Sequence, residues 1–299
     1  MPEPLARFVD LHHHAGADLY RRRRSVLATG RVYAELGGWV VVKSHLGSTA
    51  AAAWEARQEG LPVSGSVTLN DIGGGLSVRT MERAVFEHGD DGPARLVVYL
   101  PTLVGSHHTS RLTRVPFHPL LDVPSLRGTS VSSSLPAVRE ILRAARDLPV
   151  VVATGHATRD EILTVVDCAV SLGLDRLLLT HPTHPMCGLT LADLASLADV
   201  PQVYVELTAL TRLLGHHDGP RFAEVLHAHP RVVHSSDLGQ PEQPDVSEWL
   251  GLASSWFAEA GLTPARVAAI TAGTPGKLLA LPGKHEQETP LCHSSTSTR

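Results

Sequence analysis

Eight short apolar runs, each followed by a stretch of helical character, restrict the fold of this chain more than any other feature. ARFVDLH (6–12), GWVVVKSH (38–45), VSGSVTLN (63–70) and ARLVVYLPT (94–102) read as the first four strands. PVVVATGH (149–156), RLLLTHP (176–182), PQVYVELT (201–208) and RVVHSSD (231–237) read as the second four. The runs are nearly all apolar rather than alternating, as expected of parallel strands covered on both faces. Between them lie RRRSVLATGRVYAELG, TAAAAWEARQEG, LSVRTMERAVFEHG, LPAVREILRAARD and a stretch where Thr158 and Glu161 have capping-box spacing. Eight βα units predict a single-domain (β/α)8 TIM barrel over residues 1–282 of the 299-residue chain. An open doubly wound sheet is the runner-up, but it would want a glycine-rich phosphate loop after the first strand, where HHHAGAD stands. The segment IGGGLS (72–77) lacks the GxGxxG spacing and reads as a turn or as a loop passing close to a ligand. Residues 283–299 are polar, Ser/Thr-rich and aperiodic, and are expected to form a disordered tail.

Composition narrows the function classes. Lys and Arg total 26 against 30 Asp and Glu, a net charge of −4, which predicts neither a nucleic-acid surface nor an anionic-membrane binder. Three cysteines without a CxxC pairing suggest a reducing compartment. No basic segment followed by an apolar stretch opens the chain, and no window approaches 18 uninterrupted apolar residues, so a cytoplasmic location is expected. A small-molecule substrate is the expected partner, with homo-oligomerisation left open.

The carboxyl ends of barrel strands open onto the active-site mouth, and here they carry an unusual load of polar residues. Strand one ends in Asp10, His12, His13 and His14, strand two in Lys43 and His45, and strand three in Asn70. His107 and His108 follow strand four, His156 ends strand five, and His181 with His184 follows strand six. Glu206 lies on strand seven, and Ser236 and Asp237 end strand eight. Strand side chains alternate, so His12 and His14 share a face while His13 points away. Joined by His156, His181 and Asp237 they make an N4O donor set, which suits a divalent ion. Any one of these residues alone reads more blandly, as a satisfied loop histidine or a helix-capping aspartate. Their joint placement at four strand ends is what points to a metal. Zinc is the first choice, with Mn2+ or Fe2+ as alternatives, one ion preferred and two conceivable. The RRRR run (21–24) reads as a solvated helix start on the mouth side, from which one arginine could reach a substrate anion.

This constellation resembles the amidohydrolase superfamily of metal-dependent hydrolases, whose pattern is HxH after strand one, His after strands five and six, and Asp after strand eight. LTPARVAAITAGTPGKLLAL (262–281) is similar to the closing helical segment of such enzymes, where a Thr-Pro step starts the last helix. More narrowly, DLHHHAGADLYRRR, VVVKSHLGST, SVTLNDIGGGLS, VVATGH and LLLTHP resemble the uncharacterised DUF6282 proteins. The resemblance implies His12, His14, His156, His181 and Asp237 as ligands, with Asp237 also the general base for an attacking water. It departs from two-metal members, since strand four ends VYLPTLVGSHH without a bridging Lys or Glu. Lys43 and His45 are then expected as oxyanion or anion contacts. Asn70, Gly74, His107, His108, His184 and Glu206 are expected to shape the substrate pocket. The implied activity is hydrolysis of a C–N bond in a small amide or cyclic amide. Alternatives are a metal-dependent lyase, with Arg21–Arg24, Lys43 and Arg111 able to clamp a carboxylate, and a phosphoesterase, whose usual barrel has seven strands. The irregular segment 103–135 has the length and position of a lid.

Overall fold

The computed structural model describes residues 7–90, 94–104 and 128–281. All eight expected strands form: β1 (Phe8–His14), β2 (Gly38–Lys43), β3 (Val63–Ser64 continued by Ser66–Thr68), β4 (Leu96–Tyr99), β5 (Val150–Ala153), β6 (Leu177–Leu179), β7 (Val203–Thr208) and β8 (Val232–Ser235). Each pairs in parallel with the next. β3 breaks at Gly65, where any Cβ would lie 2.7 Å from the Ala50 Cα. Its first half pairs with β2 and its second with β4. The ring closes between β8 and β1, where Asp237 N donates to His12 O and His14 N donates to Leu238 O, both at 2.7 Å. Closure removes the open-sheet alternative.

The helices α1 (Val26–Leu36), α2 (Ala50–Gln58), α3 (Val78–His88), α4 (Leu135–Arg146) and α5 (Arg159–Leu172) cover the early strands. After β6 come α6 (Leu191–Ser196), α7 (Ala209–Leu213), α8 (Gly219–Ala228), α9 (Val246–Glu259), α10 (Pro264–Ala268) and α11 (Thr274–Leu279). α5 begins as its sequence suggests, Glu161 accepting a hydrogen bond from the Thr158 backbone at 2.9 Å. α1 starts later than the arginine run implied. Ser25 Oγ accepts from Ala28 N and fixes the first turn. The preceding arginines are spent on the loop instead: Arg23 donates to Pro241 O and Gln243 O, and Arg24 pairs with Asp245. The Thr-Pro step starts α11 as expected, and its Leu278 and Leu279 plug the floor of the barrel against Val9, Leu11, Val41 and Val97.

One irregularity determines what the mouth looks like. Val9 and Leu11 point into the barrel, so strict alternation would turn His13 inward and bury His12 and His14 among the helices. Instead two residues of β1 (Leu11 and His12, between Asp10 and His13) stand against one of β2 (Val41, between Val40 and Val42), a β-bulge that reverses the faces. Asp10 staples the bulge: its Oδ1 accepts from His12 N at 3.0 Å and Ser236 N at 2.9 Å, and its Oδ2 accepts from Tyr33 OH at 2.6 Å. The Leu11 carbonyl, displaced from regular pairing, accepts from Tyr99 OH at 2.9 Å. His13 thus packs outside, against Tyr33 and Ser236.

His234 faces the outer layer, its tautomer fixed by its neighbours. Nδ1 donates to Leu207 O at 3.0 Å, and Nε2 accepts from Trp249 Nε1 at 3.4 Å. Burial lowers its pKa from 6.5 to about 4, because a second proton would confront the indole N–H and could not be hydrated. Since the folded value lies below the unfolded one, stability is fully present above pH 6.5 and is lost as the pH falls towards 4. The expected contribution is about 3 kcal/mol. Urea unfolding across that window should therefore show a flatter acid limb for His234→Gln than for the unaltered protein; parallel curves would refute it.

Candidate metal centre

The polar interior begins above the apolar floor. Lys43, Tyr99 and Glu206, all completely buried, follow Val41, Val97 and Tyr204 by one alternation step on their strands. Lys43 Nζ lies 4.4 Å from the Tyr99 ring centre and donates to His12 Nε2 at 2.9 Å. Glu206 Oε2 is 3.2 Å from His12 Nδ1. Burial pushes Glu206 up and Lys43 down, each opposed by the other's charge or by that of Asp237. These partners settle the His12 tautomer: Nδ1 carries the proton towards the carboxylate, and Nε2 keeps its lone pair.

That lone pair faces Asp237 Oδ1 at 3.2 Å, and His14 Nε2 lies 3.2 Å from the same oxygen. The three ligand atoms fall within 4.8 Å of one another, as three donors around one ion must. Two acceptors in such contact need positive charge beside them; here the Lys43 ammonium supplies it through the His12 Nε2 lone pair, and a bound ion would have to take that lone pair from Lys43. Burial holds His12 down to about 3, and His14, His45 and His181 well below the ordinary histidine value, so all offer neutral imidazoles at pH 7. The donor set therefore fits a divalent ion. His181 stacks on His12 with ring centres 6.0 Å apart, and His156 lies 5.1 Å from His181. They flank the triplet rather than joining its tight cluster. His181 and Asp237 both have positive φ, 28° and 55°, which turns each side chain back over the mouth at a local backbone cost.

A second triplet, His14, Asp18 and His45, also converges within 4.8 Å, but it is filled by an arginine. Arg22 Nε and Nη2 reach Asp18 Oδ2 at 2.7 and 2.5 Å, and Nη2 lies 2.9 Å from His14 Nδ1. Asp18 Oδ1 accepts from Leu19 N and His45 N, both at 2.7 Å. Above the two triplets opens a cavity of about 140 Å³, with Arg22, His45, His156, His184, Asp237 and Gln240 in its lining.

Several expected pocket residues lie elsewhere. Glu206 is sealed under His12 and cannot touch a substrate; it orients the His12 imidazole instead. Lys43 likewise lies beneath the imidazoles and does not line the cavity, which removes it as a direct substrate contact. Asn70 is consumed internally, donating to His45 O and Thr102 Oγ1 and accepting from Thr102 N and Leu103 N. With Asn70 donating to it, the Thr102 hydroxyl can direct its own proton to His45 Nδ1 at 2.9 Å, which leaves His45 the Nε2–H tautomer. Gly74 belongs to a surface turn beside Thr80, so the glycine run is a turn. His107, His108, Arg111, most of the segment 103–135 and the tail 283–299 lie outside the described residues. The sequence reading passed over Asp18, Tyr20 and Gln240; only Asp18, four residues after His14, carried a spacing that could have flagged it. Glu206→Gln should retain the fold but weaken zinc binding by about 10- to 100-fold, as loss of a carboxylate behind a ligating imidazole does. Competition with a chromogenic chelator measures this, and unchanged affinity would remove Glu206 from its orienting role.

A closed eight-stranded parallel barrel with imidazoles and one carboxylate gathered at its strand ends defines the class: a (β/α)8 barrel with a candidate metal centre. Residues 7–206 match the family of unknown function DUF6282, and the chain belongs to that family. No curated protein matches the sequence. Among solved structures, the chain is similar to a zinc-bound amidohydrolase from Burkholderia multivorans, with 18% identity over 93% of this chain and 100% of that one and a TM-score of 0.46. An organophosphorus hydrolase variant from Deinococcus radiodurans shows 15% identity over 93% and 97% of the two chains, with a TM-score of 0.41. A manganese-bound dihydroxybenzoic acid decarboxylase from Polaromonas sp. JS666 shows 13% identity over 91% and 96%, also with a TM-score of 0.41. Among the described residues no helix is long and apolar enough to cross a membrane.

Proposed function

We propose that this protein is a metal-dependent hydrolase that cleaves a C–N bond in a small amide or cyclic amide. The observation that carries the reading is the convergence of His12 Nε2 and His14 Nε2 on Asp237 Oδ1, each at 3.2 Å. His12, His14 and Asp237 would hold one divalent ion, with His156 and His181 beside them; zinc suits the donors best, and Mn2+ or Fe2+ would be accepted. Arg22 in the neighbouring triplet supports a single ion, since a guanidinium already balances Asp18 there. The ion would supply Lewis acidity and lower the pKa of a water from 15.7 towards about 7. Asp237, the only carboxylate facing the cavity among the described residues, would take the water's proton and return it to the departing nitrogen. His45, as the Nε2–H tautomer, would donate to the oxygen on which negative charge develops.

Metal analysis together with amine or ammonia release from a panel of small amides tests this. One zinc per chain and chelator-sensitive release are expected, and His12→Ala with His14→Ala should abolish retention of the metal in a folded protein. Absence of bound metal in the unaltered protein would refute the reading. Arg22 in the cavity lining favours one second reading, a metal-dependent lyase acting on a small carboxylic acid, which carbon dioxide release in place of amine release would reveal.

A further inference from the structure

We infer that Arg22 is the specificity-determining anion anchor of this cavity, and that the substrate is a small molecule bearing a carboxylate beside its reacting group. The inference rests on the proposed metal reading and adds to it the substrate's charge. Four consecutive arginines precede α1, and the structure separates them. Arg23 and Arg24 are committed to the loop at Pro241–Asp245, and Arg21 is exposed. Only Arg22 turns inward: its side chain is 2% exposed, it lies by the Tyr20 ring, and it is the one Lys or Arg lining the cavity among the described residues. Its Nη1 has no hydrogen-bond partner among the described residues.

His14 links this arginine to the candidate metal position, presenting Nε2 to Asp237 and Nδ1 to Arg22. Nδ1 has two neighbours, the Arg22 Nη2 donor at 2.9 Å and the Asp18 Oδ2 acceptor at 3.3 Å. Which one it bonds depends on the tautomer. When Nε2 serves as a ligand the ring proton must sit on Nδ1, where it bonds Asp18. Arg22 then loses its acceptor on His14, and its Nη2 as well as its Nη1 can pair with a carboxylate held in the cavity that Arg22 lines. A guanidinium edge with two N–H groups is the arrangement that receives a carboxylate in bidentate fashion. The anchor and the candidate ligand atom occupy opposite ends of one imidazole, so the carboxylate and the reacting group must be close neighbours in the substrate.

Lactate and its uncharged amide, lactamide, are suitable probes, titrated calorimetrically into protein at saturating zinc. The unaltered protein should bind lactate at least about tenfold more tightly than lactamide. The double variant Asp18→Asn/Arg22→Gln removes one charge of each sign, leaving net charge unchanged and no buried carboxylate stranded; it should bring the ratio to about one. Arg21→Gln should leave the ratio as it is. A preference that survives the double substitution would place the carboxylate on the ion alone and overturn the assignment, as would an unaltered protein indifferent to the two probes. If the protein takes up no zinc, the hydrolase reading fails by itself. The same titrations on metal-free protein, where Nη2 stays on His14 and Nη1 alone can meet the anion, then decide for Arg22: a smaller lactate preference lost in the double variant upholds the anchor and its absence refutes it.

Discussion

Asp237→Asn is expected to make the metal-free protein more stable and the zinc-loaded protein less so. In the metal-free fold the Asp237 carboxylate faces two imidazole nitrogens at 3.2 Å, and the His12 nitrogen has no proton to offer. Burial raises the carboxyl's pKa despite the opposing pull of His12 and Lys43, so the ionised form is disfavoured in the folded state. An asparagine amide can donate where the carboxylate only accepts, which should gain about 1 kcal/mol in urea unfolding of chelator-treated protein. The same change removes an anionic ligand, and zinc affinity should fall at least about 100-fold, no less than loss of a supporting partner costs. At a zinc concentration near 100 times the unaltered protein's Kd, that protein gains about 2.7 kcal/mol and the variant little, so the order of stabilities inverts. A variant destabilised in both conditions would mean that Asp237 is a structural acceptor and no cation belongs between these atoms.

The same residues show how far the sequence could be read. The eight strands were legible because buried parallel strands write themselves as apolar runs, and closure followed from their number. The shared face of His12 and His14 was legible from alternation. Which face they share was not, because it depends on the bulge between Asp10 and His13, a register effect that needs β2 and β8 in place. Position at a strand end indicated height along the barrel axis but not depth. Glu206 and Asn70 therefore read as pocket residues, whereas one lies beneath His12 and the other is enclosed by the loops after β2 and β4. Lys43 was misread for the same reason. The arginine run shows a different limit: four identical residues carry no mark of which one turns inward. Only the contacts to Asp18, Pro241 and Asp245 distinguish them.

The loop after Asp237 predicts the largest single stability effect. Gly239 has φ +120°, and a Cβ there would lie 1.9 Å from the His14 carbonyl oxygen. That peptide has little room to yield, because His14 N is bonded to Leu238 O at 2.7 Å and its side chain is held by Arg22 and Asp18. Gly188 is the natural control: its φ is also positive, +80°, yet nothing lies within 4 Å of the place its Cβ would take. Gly188→Ala should therefore cost only the left-handed backbone penalty, about 1 kcal/mol. Gly239→Ala should cost at least about 4 kcal/mol, because backbone meets backbone at the seam that closes the barrel. It should also weaken zinc binding, since relief of the clash moves the peptide that carries His14. Urea midpoints and zinc competition on the two variants decide the matter. If both alanines cost the same small amount, the approach of the β8 loop to β1 is looser than this geometry implies, and the ligand pair on the bulge is not held by that seam.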